Sequence, residues 1–198
     1  PPGVRRQTRF QTTVTEKLIA RPSLLHRDLG QWEEALAYFE RFRAARRAAG
    51  AAEDVALARL NMGEILLFQG RPEAARAALR AARREMVTRT YLVDILLHLG
   101  LAAEALGETA VARDHFREAL ATAQAIGRAD ILPHTYYHLG AAAARAGEVE
   151  EAGRLLAQAA TVIEETRAPL DDEQIKISLL GRWQQVYEAL IVHWLERG

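Results

Sequence analysis

One pattern recurs along this chain and constrains the fold more than any other feature of the sequence. Each copy has a glycine, a second glycine seven residues later and an alanine twelve residues after the first glycine. A large apolar residue follows that alanine by four positions, and another alanine stands three positions beyond it. Three copies begin at Gly63, Gly100 and Gly140, and an earlier copy keeps the second half of the pattern from Gly30 onward. A period of 37 to 40 residues predicts an array of similar units that become stable by stacking on their neighbours.

Each landmark of the pattern can be explained as part of a helix–turn–helix unit. The first glycine lies in an apolar helical stretch, where glycine costs about 1 kcal/mol relative to alanine, so its recurrence predicts a close approach of two helices. The second glycine, as at Gly70, predicts the end of the first helix, because the left-handed conformation after a helix favours glycine. The alanine and the large apolar residue, as at Ala75 and Leu79, are four positions apart and therefore share one face of the second helix.

The composition agrees with a helical fold and excludes several kinds of site. Of 198 residues, 38 are alanine and 24 are arginine, both good helix formers, and 49% are apolar, which is enough for a sizeable core. The absence of cysteine excludes disulfides, thiolate metal sites and a cysteine nucleophile. A net charge of zero gives no overall bias toward nucleic acid or anionic membranes. No apolar run is long enough to span a membrane and no targeting signal is present, so we expect a cytoplasmic protein without nucleic-acid or membrane partners.

The repeated unit resembles the tetratricopeptide repeat (TPR), a helix–turn–helix motif with the pattern W-x2-L-G-x2-Y…A-x3-F…P. Its L-G pair is matched by Met62-Gly63, Leu99-Gly100 and Leu139-Gly140. Its A-x3-F pair is matched by Ala35-x3-Phe39, Ala75-x3-Leu79, Ala112-x3-Phe116 and Ala152-x3-Leu156. The unit departs from the pattern at three points, since Arg59 replaces the Trp, Ala103 and Ala143 replace the Tyr, and no Pro closes the unit. The resemblance runs from about Leu24 to Gly198 and implies an all-α, TPR-like right-handed α-solenoid of about four and a half helix–turn–helix repeats.

The two ends of the chain are less regular than its middle. Residues 1–22 are predicted to form an N-terminal arm or short helix, on a stripe made by Phe10, Val14 and Leu18. Residues 23–198 are predicted to form the TPR-like helical repeat domain, whose last repeat is incomplete. The final helix carries an apolar stripe that includes Trp183, Tyr187 and Trp194, and we expect this stripe to lack a covering helix. It is therefore a candidate surface for a homodimer or another partner.

A second resemblance concerns the last segment. Residues 177–180, 186–191 and 195–198 resemble the repeats that precede a CHAT domain, a caspase-like peptidase domain attached to TPR arrays. The His and Cys of such a domain lie outside this chain, so no catalytic residue is carried over. The resemblance implies an alternative function as the regulatory or sensor array of a larger protein with a C-terminal effector.

The sequence contains no constellation typical of an enzyme or a metal site. P-loop, H-E-x-x-H and G-x-S-x-G strings are absent, so we expect no enzymatic activity, no catalytic residue and no cofactor. His134 and His138 share a helix face and, with His98, could hold a divalent ion. His98 and His138 align with Asn61 of the preceding copy, however, which favours polarity that faces a ligand or packs between helices, and we expect no metal.

Two arginine-rich runs, at residues 41–47 and 80–84, could contact phosphate. They lie near the ends of second helices and have acidic neighbours. We therefore interpret them as solvated faces that compensate the helix dipole.

The first helices of the repeats provide the candidate binding site. In TPR proteins these helices line a concave groove that binds peptides, so the resemblance implies a non-enzymatic module that binds a peptide or protein segment. The positions that match the groove are Leu57, Leu60, Asn61, Glu64, Phe68, Asp94, Leu97, His98, Leu101, Glu104, His134, Tyr137, His138 and Arg145. Arg145 is the one basic residue among them, so the cationic clamp that some TPRs use for a C-terminal carboxylate is not expected.

Overall fold

The computed structural model describes residues 32–169, 171–172, 174, 177–178, 181 and 183–195. These residues form α-helices, one short 3-10 helix and no strand, which confirms the predicted all-α, TPR-like repeat fold. The predicted N-terminal arm at residues 1–22 and Gly30, the second glycine of the earliest copy, lie outside the described residues. The helices are α1 (Trp32–Ala48), α2 (Ala52–Phe68), α3 (Pro72–Glu85), α4 (Arg89–Ala105), α5 (Thr109–Ile126), α6 (Leu132–Arg145), α7 (Val149–Arg167) and α8 (Gln184–Leu195).

The chain divides into two compact units, Pro1–Met86 and Val87–Gly198, called unit 1 and unit 2 below. In unit 1, α2 and α3 form a helical hairpin and α1 packs on α2. Its core contains Phe39 of α1 together with Ala58 and Ile65 of α2. The short Ala35 side chain is buried beside them, which brings the backbones of the two helices close together.

Unit 2 contains two further hairpins and a final helix. Helices α4 and α5 form one hairpin, α6 and α7 form the other, and α8 packs on α7. A 3-10 helix, Ala129–Ile131, connects the two hairpins. The core includes Phe116 and Ile163 from second helices and extends to Trp183 and Val186 near the start of α8.

The first glycine of each copy lies where the two helices of a hairpin touch. A methyl group added at Gly63 would stand 2.6 Å from Cγ of Leu79, and one added at Gly140 would stand 2.9 Å from Cγ of Leu156. At Gly100 the added methyl would collide with the Phe116 ring. The predicted close approach is therefore confirmed, and its partner is the large apolar residue of the same copy.

In the three copies that the structure describes, the second glycine ends the first helix in the left-handed conformation, as predicted. Gly107 has a φ of 75°, and its N–H donates to the Glu104 carbonyl at 3.0 Å. The next N–H, of Glu108, donates to the Ala103 carbonyl at 2.9 Å. These two bonds satisfy carbonyls that the helix end would otherwise leave unpaired, and the reversed φ that they require favours glycine.

Candidate functional site

The predicted groove residues lie on α2 in unit 1 and on α4 and α6 in unit 2. The side chains fall into two groups by exposure. Leu60, Asn61 and Leu97 are buried, with 6%, 4% and 5% of their surface exposed. The remaining positions are half-buried or exposed, namely Leu57, Glu64, Phe68, Asp94, His98, Leu101, Glu104, His134, Tyr137, His138 and Arg145.

On the α2 face of unit 1, the most exposed predicted residue is Phe68. Its ring is 51% exposed and stacks on Trp32 of α1, with 5.7 Å between the ring centroids. Asn61 donates from Nδ2 to the Leu57 carbonyl at 2.8 Å, so this buried amide is satisfied within its own helix. At this repeat position the sequence left two interpretations open, a polar residue that faces a ligand or one that packs between helices. Asn61 fits the second, because it is buried and satisfied.

The α6 face of unit 2 centres on His138. Its Nδ1 lies 2.9 Å from a carboxylate oxygen of Glu104 on α4, and its ring stacks on Phe116 with a centroid distance of 5.0 Å. Tyr137 meets the His138 ring edge-on, also at 5.0 Å. Arg145 donates to the second oxygen of Glu104. These five residues, Glu104, Phe116, Tyr137, His138 and Arg145, are called the His138 cluster below.

The charges of the His138 cluster compensate one another. Burial raises the pKa of Glu104, but hydrogen bonds and charge interactions with His138 and Arg145 outweigh burial, so the pKa lies below its ordinary value. The carboxylate stays ionised and keeps accepting both bonds at neutral pH. The cluster therefore presents aromatic rings and already-paired charges rather than a free cation.

A second polar centre lies at the start of α4, and sequence reasoning missed its main member. Arg128, in the connection after α5, donates to both carboxylate oxygens of Asp94, at 2.9 and 3.2 Å, and to the Thr90 carbonyl at 3.0 Å. It also binds Asp130 at 2.7 and 2.9 Å. The hydrogen bond with Asp130 is the largest of the effects that raise the pKa of Arg128, and that bond lowers the pKa of Asp130. The Arg-x-Asp string after Gly127 was the available signal.

His98 belongs to this end of the α4 face. Its Nδ1 lies 2.7 Å from the Asp94 carbonyl, and because a carbonyl oxygen only accepts, Nδ1 carries the proton and Nε2 is left as the second polar atom. The side chain is half-buried.

The two histidines that could have formed a metal pair have different partners. His134 packs against Trp183, with 4.2 Å between ring centroids, whereas His138 binds Glu104. Among the described residues, no group of three or more His, Asp and Glu side chains is arranged to hold a metal ion.

The expected stripe on the final helix is only partly exposed. The expectation for Trp183 is wrong, because this residue is 5% exposed and packs against His134 of α6. Tyr187 is half-buried and donates its hydroxyl to Glu164 of α7 at 2.5 Å. Trp194 is 60% exposed. Around Trp194 on α8, the other exposed apolar residues are Ile191, Val192 and Leu195.

Sequence reasoning also missed His193, which anchors α8. It is 7% exposed, and its ring occupies the space beside Gly153 of α7, where a methyl group would collide with Nε2. Gly153 follows the alanine landmark directly, at the position that holds Arg76 and Arg113 in the two preceding copies. That change from arginine to glycine was the signal that a different contact forms here.

A family model of known proteins agrees with this architecture over part of the chain. Residues 23–86 match the family model described as Tetratricopeptide repeat. The search for similar sequences among curated proteins gives no match. Among solved structures, the chain is similar to one titled "Crystal structure of MamA protein", with 16% identity and a TM-score of 0.48 over 79% of this chain and 92% of that one. The resemblance of the last segment to CHAT-associated repeats stays a prediction.

The described part of the chain contains no helix long and apolar enough to cross a membrane. Tetratricopeptide repeats generally mediate protein–protein interaction and are typically non-catalytic. The family match covers unit 1 from residue 23, and the hairpins α4–α5 and α6–α7 repeat the same landmarks with the same glycine contacts. Residues 23–86 are therefore similar to tetratricopeptide repeats, and the two hairpins of unit 2 repeat the same landmarks.

Proposed function

We propose that the α4–α6 face of unit 2 binds an extended peptide segment of a partner protein, as a non-enzymatic interaction module. The observation that carries the proposal is the His138 cluster. Tyr137 and His138 are half-buried, the His138 ring is held by Phe116 and Glu104, and the Tyr137 ring lies edge-on against it, so both are fixed before a ligand arrives. A fixed aromatic surface loses little side-chain entropy on binding, and tyrosine is frequent among the residues that dominate interface energies.

The pairing of charges on this face indicates the kind of segment that would fit. Asp94 is neutralised by Arg128, and Glu104 is neutralised by Arg145 and accepts a hydrogen bond from His138. A peptide would therefore gain more from stacking on Tyr137 and from hydrogen bonds than from ion pairs. We expect an uncharged, partly apolar segment, and the peptide's C-terminal carboxylate is not expected to dominate.

Selection from a displayed library of random peptides tests this proposal. The selected peptide is synthesised with a fluorescent label, and its affinity is measured by anisotropy. Tyr137→Ala is expected to weaken binding at least about tenfold, as loss of a central aromatic contact does, whereas Tyr137→Phe is expected to keep most of the affinity. His98→Ala is expected to weaken binding less, through the loss of Nε2.

The matched control is Arg117→Ala on α5, where the side chain is 58% exposed and pairs only loosely with Asp114 at 3.4 Å. Circular dichroism checks that each variant keeps its helices. Equal affinities for Tyr137→Ala and the Arg117→Ala control would rule out this face as the binding site.

The exposed apolar residues of α8 favour a second candidate function, in which this helix contacts a partner or a second copy. Ile191, Trp194 and Leu195 are 58%, 60% and 75% exposed, and they lie within five positions. Clusters of this kind mark interaction surfaces. If α8 mediates association, the unchanged chain is expected to associate at high salt and Trp194→Glu is expected to stay monomeric. Light scattering of both chains at high salt measures the difference in mean mass.

A further inference from the structure

The arginines of α1 and α3 form a basic surface, and the fold pairs the charges of some of them, such as Arg43 with Glu40 and Arg46 with Asp54. An ion pair between Arg47 of α1 and Glu85 of α3, at 3.9 Å, brings the ends of the two helices together. The same two helices carry further arginines, most of them exposed. The surface, called the basic ridge below, consists of Arg41, Arg43, Arg46, Arg47, Arg80, Arg83 and Arg84.

Compensation of the helix dipole explains only part of the ridge. The dipole acts within the last turn of a helix, and Arg41 and Arg80 lie seven and five positions before the ends of α1 and α3. Helix α5 has no basic residue in its last turn, so helices of this fold form without one. Toward the described residues, Arg41, Arg80 and Arg84 form no ion pair, and all three are exposed.

The two units carry opposite net charges. Unit 1, Pro1–Met86, has 16 basic and 10 acidic side chains, which gives +6, and its described residues 32–86 hold 10 basic and 8 acidic side chains, which gives +2. Unit 2, Val87–Gly198, has 10 basic and 16 acidic side chains, which gives −6. The zero net charge of the chain is therefore the sum of two opposite halves.

We propose that the basic ridge binds the acidic unit 2 of a second copy of this chain, so that copies associate head to tail. Arginine suits this partner because its planar guanidinium pairs with carboxylates through two parallel hydrogen bonds. A long polyanion such as nucleic acid suits the ridge less well, because it would be repelled by the −6 charge of the same chain. A second copy brings the complementary charge itself.

The acidic counterpart lies along α7 and the turn that follows it. Glu165 and Asp171 are exposed. Glu165 lies two positions before the end of α7, where the helix dipole disfavours a negative charge. Helix α7 is the second helix of its hairpin, as α3 is in unit 1, so both charged surfaces lie on equivalent elements of the repeat.

Light scattering of the full chain at two salt concentrations gives the first test. We expect the mean mass to rise above the 22.0 kDa of one chain as protein concentration increases at about 20 mM salt. The mass is expected to return to that of one chain at about 500 mM salt, where the screening length falls to a few ångströms. Association through the apolar α8 surface would not decrease with salt and would be lost in Trp194→Glu, so the two routes are distinguishable.

Two charge-neutralised variants give the sharper test. Arg41→Gln/Arg80→Gln/Arg84→Gln removes the unpaired charges of the basic ridge, and Glu165→Gln/Asp171→Asn removes the exposed charges of its acidic counterpart. Each variant alone is expected to stay monomeric at low salt. Their equimolar mixture is expected to double the mean mass and go no further, because one intact basic surface meets one intact acidic surface and the dimer cannot extend.

A mixture that stays monomeric, or variants that associate like the unchanged chain, would overturn the proposal. So would an unchanged chain that is monomeric at low salt, and in that case binding of a labelled single-stranded oligonucleotide by the ridge would favour a polyanion instead. Circular dichroism confirms folding of both variants. Peptide binding at Tyr137 is measured separately, so either proposal can fail alone.

Discussion

At the residue scale, each described hairpin has a contact in which a large apolar side chain of one helix packs against a glycine of the other. Gly63, Gly100 and Gly140 each leave a space that Leu79, Phe116 or Leu156 fills. The glycine positions could be predicted from the sequence, because glycine that recurs inside apolar helices needs a packing reason. The identity of the partner followed only from the structure, since spacing alone does not show which side chain crosses to the other helix.

We predict that Gly100→Ala destabilises the chain by about 1–3 kcal/mol, because the new methyl group forces the fully buried Phe116 ring out of its position. Urea unfolding followed by circular dichroism measures the change. In the double variant Gly100→Ala/Phe116→Leu, the smaller leucine leaves room for the new methyl group. Phe116→Leu is therefore expected to cost less stability in the Gly100→Ala variant than in the unchanged chain.

The matched control is Gly181→Ala, since a methyl group added at Gly181 meets no atom within 4 Å. Because Gly181 is helical and exposed, we expect this substitution to raise the free energy of unfolding, by up to about 1 kcal/mol. Equal losses at Gly100 and Gly181 would show that alanine at Gly100 does not act through Phe116.

At the element scale, the order of the helices could be predicted from the sequence, but the polar contacts between helices could not. The helix–turn–helix order, the glycine turns and the all-α class follow from periodicity, which depends only on neighbours along the chain. The Arg128 contacts with Asp94 join residues 34 positions apart, and no pattern marks such a pair. Likewise, the burial of Trp183 depends on His134 of another hairpin, so it could not be predicted from the amphipathic pattern of α8 alone.

We predict that Arg128→Gln lowers the free energy of unfolding by about 1–2 kcal/mol, because Asp94 and Asp130 lose a shared, partly buried hydrogen-bond donor. Urea unfolding at neutral pH measures the loss. In the comparison variant Arg117→Gln, which removes only an exposed pair, we expect less than about 0.5 kcal/mol. Similar losses in the two variants would mean that the Arg128 contacts add nothing beyond a surface ion pair.

The contact of α8 with α7 is expected to weaken at alkaline pH. Burial raises the pKa of Tyr187 to about 12 from an ordinary value of 10.0, and the hydrogen bond to Glu164 adds to the effect. Because the folded pKa is the higher one, the stabilisation is fully present below pH 10.0 and is lost as pH rises toward about 12. Urea midpoints measured across this range should fall more steeply for the unchanged chain than for Tyr187→Phe, and parallel curves would contradict the prediction.

At the scale of the whole molecule, the chain has two compact units with separate described cores. One core contains Phe39 and Ile65, and the other contains Phe116 and Trp183. The sequence predicted one continuous repeat domain over residues 23–198, because the landmarks recur without interruption. Periodicity shows that units repeat, but it does not show how strongly each one couples to the next.

We predict that the two units unfold at different urea concentrations. Trp32 is the one tryptophan of unit 1, while Trp183 and Trp194 belong to unit 2, so fluorescence can follow each unit separately. Trp32→Phe leaves the reporters of unit 2, and Trp183→Phe/Trp194→Phe leaves that of unit 1. Coincident transitions would indicate that the chain unfolds as one cooperative body.

The contact between glycine and large residue has a consequence for how such a chain could arise. In each copy the two partners are sixteen residues apart, as in Gly63 with Leu79 and Gly140 with Leu156, so both belong to the same hairpin. Because a hairpin contains both the glycine and the large residue that packs on it, it can be duplicated, deleted or moved within a gene without losing this contact. Gene-level changes in repeat number should therefore be tolerated more readily than a change of either partner alone, which breaks the fit inside a hairpin that stays in place.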